Sequence, residues 1–289
     1  MQEAEKKKNR IMYAMALVIA LGFTILFLWD DKGHKQYDVV VLGDSIMANY
    51  AGDKHVTVVL ENRLGKSVFN GAFGGTSLSS NNAENWGSVA NSEWNMIKLA
   101  EAICYRDWKS QKATMTYSDF YCDSSSQAIF FFRERMDTLS KIDFSQVETL
   151  IIEHGSNDYN GGVKLDNPQN PYDVTTFGGA LRESLRLLQE TYPQLRIVLM
   201  TPLYCYFGAD APRKCYEVSF GEGGTLDQYV ELEKEIAKEF GVECINAYEN
   251  SGIQEENAAM YIPDGLHLNF DGHVLVGNFL ADYFEENDR

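Results

Sequence analysis

Short apolar runs punctuate the chain at Tyr37 to Leu42, Ser67 to Asn70, Thr149 to Glu153, Arg196 to Thr201 and Val242 to Asn246. Each is four to six residues long, the length of a buried strand and too short for a globular helix. Between them the apolar positions recur at helical spacing. Residues 54 to 65 predict a helix with Val58, Val59, Leu60 and Leu64 inward and Gly65 as its stop. Further helical patterns cover Phe177 to Thr191, Leu226 to Phe240 and Phe270 to Phe284. In the first of these, Leu181, Leu185, Leu187 and Leu188 make a stripe interrupted by Arg182, Glu183 and Arg186. Strands that alternate with helices predict an α/β fold, with a central parallel sheet covered on both faces.

One apolar run breaks this scale. Residues 11–29 carry no charge over nineteen positions, which as a helix would span roughly 28 Å, close to a bilayer core. Lys6, Lys7, Lys8 and Arg10 precede it, and Asp30 and Asp31 follow. This asymmetry predicts a cytoplasmic tail at 1–10, a transmembrane anchor at 11–29, a linker at 30–36 and an extracytoplasmic domain at 37–289. A cleaved signal peptide is the competing reading. It would have a shorter apolar core and a small-residue cut site, whereas this run ends in Phe27-Leu28-Trp29-Asp30-Asp31. A buried core helix fits worse still, given the flanking charges.

The formal net charge of −17 repels nucleic acid and anionic surfaces, so no nucleic-acid partner is expected. Of the five cysteines, Cys104, Cys122, Cys205, Cys215 and Cys244, none forms Cys-x-x-Cys. Zinc and thioredoxin-type sites are therefore not expected. Outside the membrane, Cys205 with Cys215 and Cys104 with Cys122 could each staple a loop, while Cys244 reads as a buried thiol. There is no Walker A, no His-Glu-x-x-His, no Gly-x-Ser-x-Gly and no full Gly-x-Gly-x-x-Gly. No metal or cofactor is implied.

Four short blocks stand at strand or helix junctions. Gly43-Asp44-Ser45 follows the first strand, and Asn70-Gly71-Ala72-Phe73-Gly74-Gly75 follows the second. Gly155-Ser156-Asn157-Asp158 follows the third, and Asp264-Gly265-Leu266-His267 precedes the last helix. Open parallel sheets place ligands outside the carboxyl ends of their strands, so these blocks should converge on one edge. A serine hydroxyl is a weak nucleophile without an adjacent base. His267 can supply the base, and Asp264, three residues earlier, can hold its tautomer. Backbone N–H of Ser45, backbone N–H of a block-two glycine and the Asn157 amide can serve an oxyanion. Asp44 reads as a cap or orienting group and Asp158 as a loop brace. His34 and His55 read as surface residues, His154 as strand-end packing and His273 as a helix residue.

This set of blocks resembles the SGNH (GDSL) hydrolase family over most of residues 37 to 286. The resemblance implies a three-layer α/β/α sandwich of flavodoxin-like type, with strand order near 2-1-3-4-5. It implies Ser45 as nucleophile, Asp264 and His267 as the rest of a triad, and Ser45, Gly75 and Asn157 as the oxyanion hole. The block-two glycine follows Asn70 by five positions, which selects Gly75 over Gly71 and Gly74. The chain departs from the family pattern in its apolar N-terminus, in Ile46 after Gly-Asp-Ser, and in an aromatic-rich insertion at about 79–146. That insertion carries Trp86, Trp94 and Trp108 and reads as extra core or a lid before a sugar platform.

The expected function is a membrane-anchored, extracytoplasmic serine esterase without cofactor. Its substrate would be an acyl ester, acetyl foremost, with acetylated cell-surface polysaccharide as the expected partner. The same site could instead pass an acetyl group to a glycan hydroxyl. A third alternative is a non-catalytic binding module that keeps the blocks as fold elements.

Overall fold

The computed structural model describes residues 36–49, 51–80, 93–114, 128–208 and 211–287. The expected anchor at 11–29, its flanks, His34, Trp86 and Cys122 lie outside the described residues. Among the described residues no helix is long and apolar enough to cross a membrane.

Strand β1 (Val39–Gly43) leads into the short helix α1 (Ser45–Ala48), then α2 (Val56–Leu64) and β2 (Val68–Asn70). The insertion contributes α3 (Met96–Tyr105) and α4 (Ala128–Leu139). Next come β3 (Thr149–Glu153), α5 (Ser156–Gly161), α6 (Phe177–Thr191) and β4 (Arg196–Met200). A ribbon of β5 (Tyr206–Phe207) and β6 (Arg213–Lys214) precedes α7 (Leu226–Phe240) and β7 (Glu243–Ile245). Helices α8 (Ala247–Asn250), α9 (Ala258–Tyr261) and α10 (Phe270–Asn287) close the chain.

The main sheet runs β2-β1-β3-β4-β7, and every pairing in it is parallel. This is the order the family resemblance implies. All five residues of β1 and all five of β3 are buried, which is why Val39 to Leu42 and Leu150 to Ile152 read as apolar runs without alternation. Helix α10 packs against α2, while α6 packs against both α3 and α7. The two helix groups cover a central parallel sheet, as expected for an α/β sandwich. The register aligns Gly43 with Glu153 and Glu153 with Met200, so the carboxyl ends of three central strands share one edge.

The inward face of α2 differs from the expected one. Val56, Thr57 and Leu60 are buried, whereas Val58 is exposed. The run Val56-Thr57-Val58-Val59-Leu60 has no charged position to set its phase, and its one polar residue, Thr57, is itself buried. The phase is set instead by α10, where a Cβ on Gly277 would meet Val59 Cβ at 2.7 Å. The insertion adds core: Trp94, Met96, Ile97, Leu99 and Trp108 all join the central apolar cluster. Cys104, Cys205, Cys215 and Cys244 stand reduced in this structure, and Cys244 is only partly buried.

Candidate active site

Ser45 is the first residue of α1, directly after β1. Asp44 is the cap of that helix, and its Oδ1 accepts from the Ile46 N–H at 2.9 Å. The cap fixes where the strand turns and leaves the Ser45 side chain part-buried at the sheet edge.

Residues 222 positions apart meet here. His267 Nε2 lies 3.0 Å from Ser45 Oγ, and His267 Nδ1 lies 2.8 Å from Asp264 Oδ2. An ionised carboxylate can only accept, so Asp264 places the imidazole proton on Nδ1 and leaves Nε2 free to accept from the serine hydroxyl. Asp264 is held in turn by its own loop. Its Oδ1 accepts from Leu266 N–H at 3.0 Å and His267 N–H at 2.7 Å. Partial burial pushes its carboxyl up, but these N–H donors and the imidazole outweigh that, and the net effect is below the usual value. Gly265, between the two side chains, has φ +91°, and a Cβ there would strike the Tyr206 carbonyl oxygen. Only glycine suits this turn.

The block-two loop passes beside the serine. A Cβ on Gly74 would sit 3.8 Å from Ser45 Cβ, and Gly75 takes φ +74°. The Asn157 amide reaches the same place, where its Nδ2 donates to Thr76 O at 2.8 Å and to Asp44 Oδ2 at 3.2 Å. Both N–H groups of Asn157 are thus engaged, the second by the longer contact. Asp158 braces the segment just after block two by accepting from Leu78 N–H at 2.7 Å and Ser79 N–H at 3.0 Å.

Two further residues hold this edge, and neither is visible in the sequence. Arg135 of α4 donates through Nη1 to Ala72 O at 2.8 Å and through Nη2 to Ala48 O at 2.9 Å. It ties the block-two loop to the end of the nucleophile helix, across separations of 63 and 87 residues. Burial lowers its guanidinium to about 10. Asn95 accepts from Ser77 N–H at 2.9 Å and donates to Ser79 O at 2.6 Å. An isolated Arg or Asn in a helical insertion carries no local signal of such a role.

His55 departs from its expected surface position. It is 5 % exposed and caps α2, accepting from Thr57 N–H at 3.1 Å, with Nε2 3.0 Å from Met47 O. Its ring lies 4.9 Å from that of His273, which is also buried. Burial first, then the neighbouring His273 and Arg135, drives His55 down to about 3, so it stays neutral. His154 is buried at the end of β3, with Nε2 3.4 Å from Thr76 Oγ1, and burial drives it to about 3.

Beneath the serine lies a set of fully buried acids: Asp44, Glu153, Asp158 and Glu233. Burial pushes Asp44 up to about 7, with the Asp158 carboxylate adding to it against the Ile46 N–H and the Asn157 amide. Neither carboxyl oxygen of Glu153 has a hydrogen-bond partner of good geometry. Burial raises its pKa well above the usual value, Asp44 and Glu233 raise it further, and a looser approach of the Asp44 N–H offsets little.

A family model for the GDSL-like lipase/acylhydrolase family matches residues 122–275, more than half of the chain. The match takes in Asn157, Asp264 and His267 and begins after Ser45. Among solved structures, a protein from Lactobacillus plantarum aligns at 19 % identity and TM-score 0.57, covering 88 % of this chain and 99 % of its own. A possible lipase from Chitinophaga pinensis aligns at 16 % identity and TM-score 0.53, covering 87 % and 98 %. These two likenesses speak for the fold. No curated protein matches the chain by sequence.

Proposed function

Because the chain belongs to the GDSL-like lipase/acylhydrolase family, whose members are serine ester hydrolases, we propose that Ser45, His267 and Asp264 are its catalytic triad. His267 Nε2 takes the hydroxyl proton as Ser45 Oγ attacks the ester carbonyl. Asp264 stabilises the imidazolium that forms, and the imidazolium gives its proton to the departing alcohol. Water, deprotonated by the same nitrogen, then releases the acid from the acyl-serine. The oxyanion is held by the backbone N–H of Ser45 and Gly75 and by the Asn157 amide, which gives up its longer contact with Asp44 to reach it. The observation that carries this reading is the unbroken chain of 3.0 Å and 2.8 Å contacts from Ser45 through His267 to Asp264.

The finer reading is an acetylesterase anchored through residues 11–29, working outside the membrane on O-acetylated glycan. The anchor and its orientation are supported by the uncharged run with its basic leading flank and acidic trailing flank, and the glycan preference follows from that location. Ser45→Ala in the full-length chain should lower hydrolysis of p-nitrophenyl acetate by about 10⁴-fold or more. Activity equal to wild type would remove Ser45 from the mechanism. Acetate released from acetylated polysaccharide supports hydrolysis, whereas acetyl groups appearing on an added sugar acceptor would make the enzyme a transferase. In oriented membranes, external protease should remove the catalytic domain, and protection from it would refute the orientation.

A further inference from the structure

Cys205 and Cys215 sit at the base of the β5–β6 ribbon, one position before Tyr206 and one after Lys214, which pair directly across it. The Cys215 N–H donates to Cys205 O at 3.3 Å, so the two residues continue the antiparallel register. Both are buried, at 2 % and 0 % exposure. Each thiol shifts the titration of the other, Cys205 upward and Cys215 downward, as neighbours across the ribbon would. Residues facing each other at a hydrogen-bonded position of an antiparallel ribbon have their Cα atoms about 5.5 Å apart, within the range a disulfide spans.

The ribbon is not a free surface hairpin. Tyr206 N–H donates to Gly265 O at 2.9 Å, in the turn between Asp264 and His267. The Tyr206 hydroxyl donates to Ile262 O at 3.1 Å, just upstream. Whatever fixes the ribbon therefore fixes the loop that carries the acid and the base. We propose that Cys205 and Cys215 are a modification site: they form a disulfide that locks the β5–β6 ribbon and, through Tyr206, holds Asp264 and His267 in register with Ser45. The positional part of this claim rests on the triad reading; the covalent part does not.

The oxidant is a small-molecule or protein disulfide. During folding, before the ribbon is buried, the Cys215 thiolate attacks one of its sulfurs, forms a mixed disulfide and expels the other sulfur as a thiolate. The Cys205 thiolate then attacks Cys215 Sγ, forms the Cys205–Cys215 bond and expels the second sulfur. Two cysteine thiols are oxidised, one oxidant disulfide is reduced to two thiols, and the two cysteine protons pass to them.

The test uses the full-length chain, folded once with excess oxidised glutathione and once with a phosphine reductant. Each sample is unfolded in guanidinium with iodoacetamide and digested with trypsin, which cuts after Arg213 and Lys214. The proposal expects peptides 197–213 and 215–234 to be linked in the oxidised sample and separately alkylated in the reduced one. Both thiols alkylated in the oxidised sample, or either cysteine linked instead to Cys104, Cys122 or Cys244, would overturn it. In the ester assay the reduced enzyme should show kcat about tenfold lower with KM unchanged, the signature of a misplaced acid–base loop. Equal kcat in two states of verified linkage would overturn the positioning role. Ser45→Ala should link as fully as wild type, so a failure of the triad reading leaves the mass result standing. The double variant C205A/C215A should lose the redox dependence of kcat; if it keeps that dependence, the effect belongs to another cysteine and the proposal falls.

Discussion

Glu153→Gln should make the protein's stability less dependent on pH, by an amount set by Glu153's surroundings. Glu153 ends β3, is fully buried, and offers two carboxyl oxygens with no partner of good geometry. Its pKa is raised well above 4.5, first by burial and then by Asp44 and Glu233. In the unfolded chain the same group releases its proton near the ordinary value. Above that pH the folded state holds a proton that the unfolded state has lost, so wild-type stability falls as pH rises. The loss is about 1.4 kcal/mol per pH unit until the buried carboxyl itself ionises. Glutamine has the same shape and does not titrate. Between pH 5.5 and 7.5 the variant should therefore gain up to about 2.7 kcal/mol on wild type. The new amide needs partners of its own, at a cost of about 1–3 kcal/mol that does not vary with pH. The slope is thus diagnostic and the intercept is not. Urea unfolding of both proteins at four pH values across this window measures it. Parallel curves would refute the reasoning and mean that Glu153 is ionised in the fold, with a partner or water path that satisfies it.

Other outcomes follow from the same site. Asp264→Asn presents an amide N–H to His267 Nδ1 and favours the wrong tautomer, so kcat should fall about 10³–10⁴-fold with little change in unfolding midpoint. Because the folded-state pKa of Asp264 is depressed, its stabilising contribution is present above the unfolded value of 3.8 and is lost as pH falls through the folded value. The protection factors of the His267 loop amides, taken relative to intrinsic exchange at each pH, should accordingly fall at the acid end in wild type and not in the variant. Arg135→Lys cannot span both carbonyls, so it should cost about 1.5–3 kcal/mol in denaturant unfolding and leave the charge in place. Gly265→Ala must abandon φ +91° or displace Tyr206. Its kcat/KM on a p-nitrophenyl ester should drop about 10²-fold, and unchanged kinetics would mean the turn is not rigid.

Local chemistry explains which features were legible in the sequence. Strands β1 and β3 are buried on both faces, so their apolar runs have no competing interpretation. Helix α6 shows its buried face because Arg182, Glu183 and Arg186 set the phase of the leucine stripe; α2 hides its face because Val56 to Leu60 carry no such marker. His55 was misplaced because capping is expected of Ser, Thr, Asp or Asn, and here a ring nitrogen accepts the Thr57 N–H instead. Nothing local marks Glu153, the last residue of its strand, as covered by the next layer. The site blocks stood out because each has a fixed spacing at a junction. Arg135 and Asn95 did not, because their partners are set by the fold alone.

The two halves of the site are held by different means, and this decides where each kind of damage will appear. The nucleophile half is cross-tied by long-range bonds: Asn70 Nδ2 to Met47 O at 2.8 Å, Arg135 to Ala48 and Ala72, Asn157 to Thr76, and Asp158 to Leu78 and Ser79. Each tie also closes core packing, so removing one loosens the fold along with the chemistry. The acid–base half rests on its own turn and on Tyr206. Gly265 N–H donates to Ile262 O at 2.8 Å within the loop, and the ribbon supplies the outside support. His267 and Asp264 are themselves partly exposed, at 36 % and 54 % of their side chains. A loop so placed can shift by an ångström without exposing much apolar surface, and so at little cost in stability. Changes at the ribbon should therefore lower kcat while leaving the unfolding midpoint nearly fixed. Changes at Asn70, Arg135 or Asp158 should move both together.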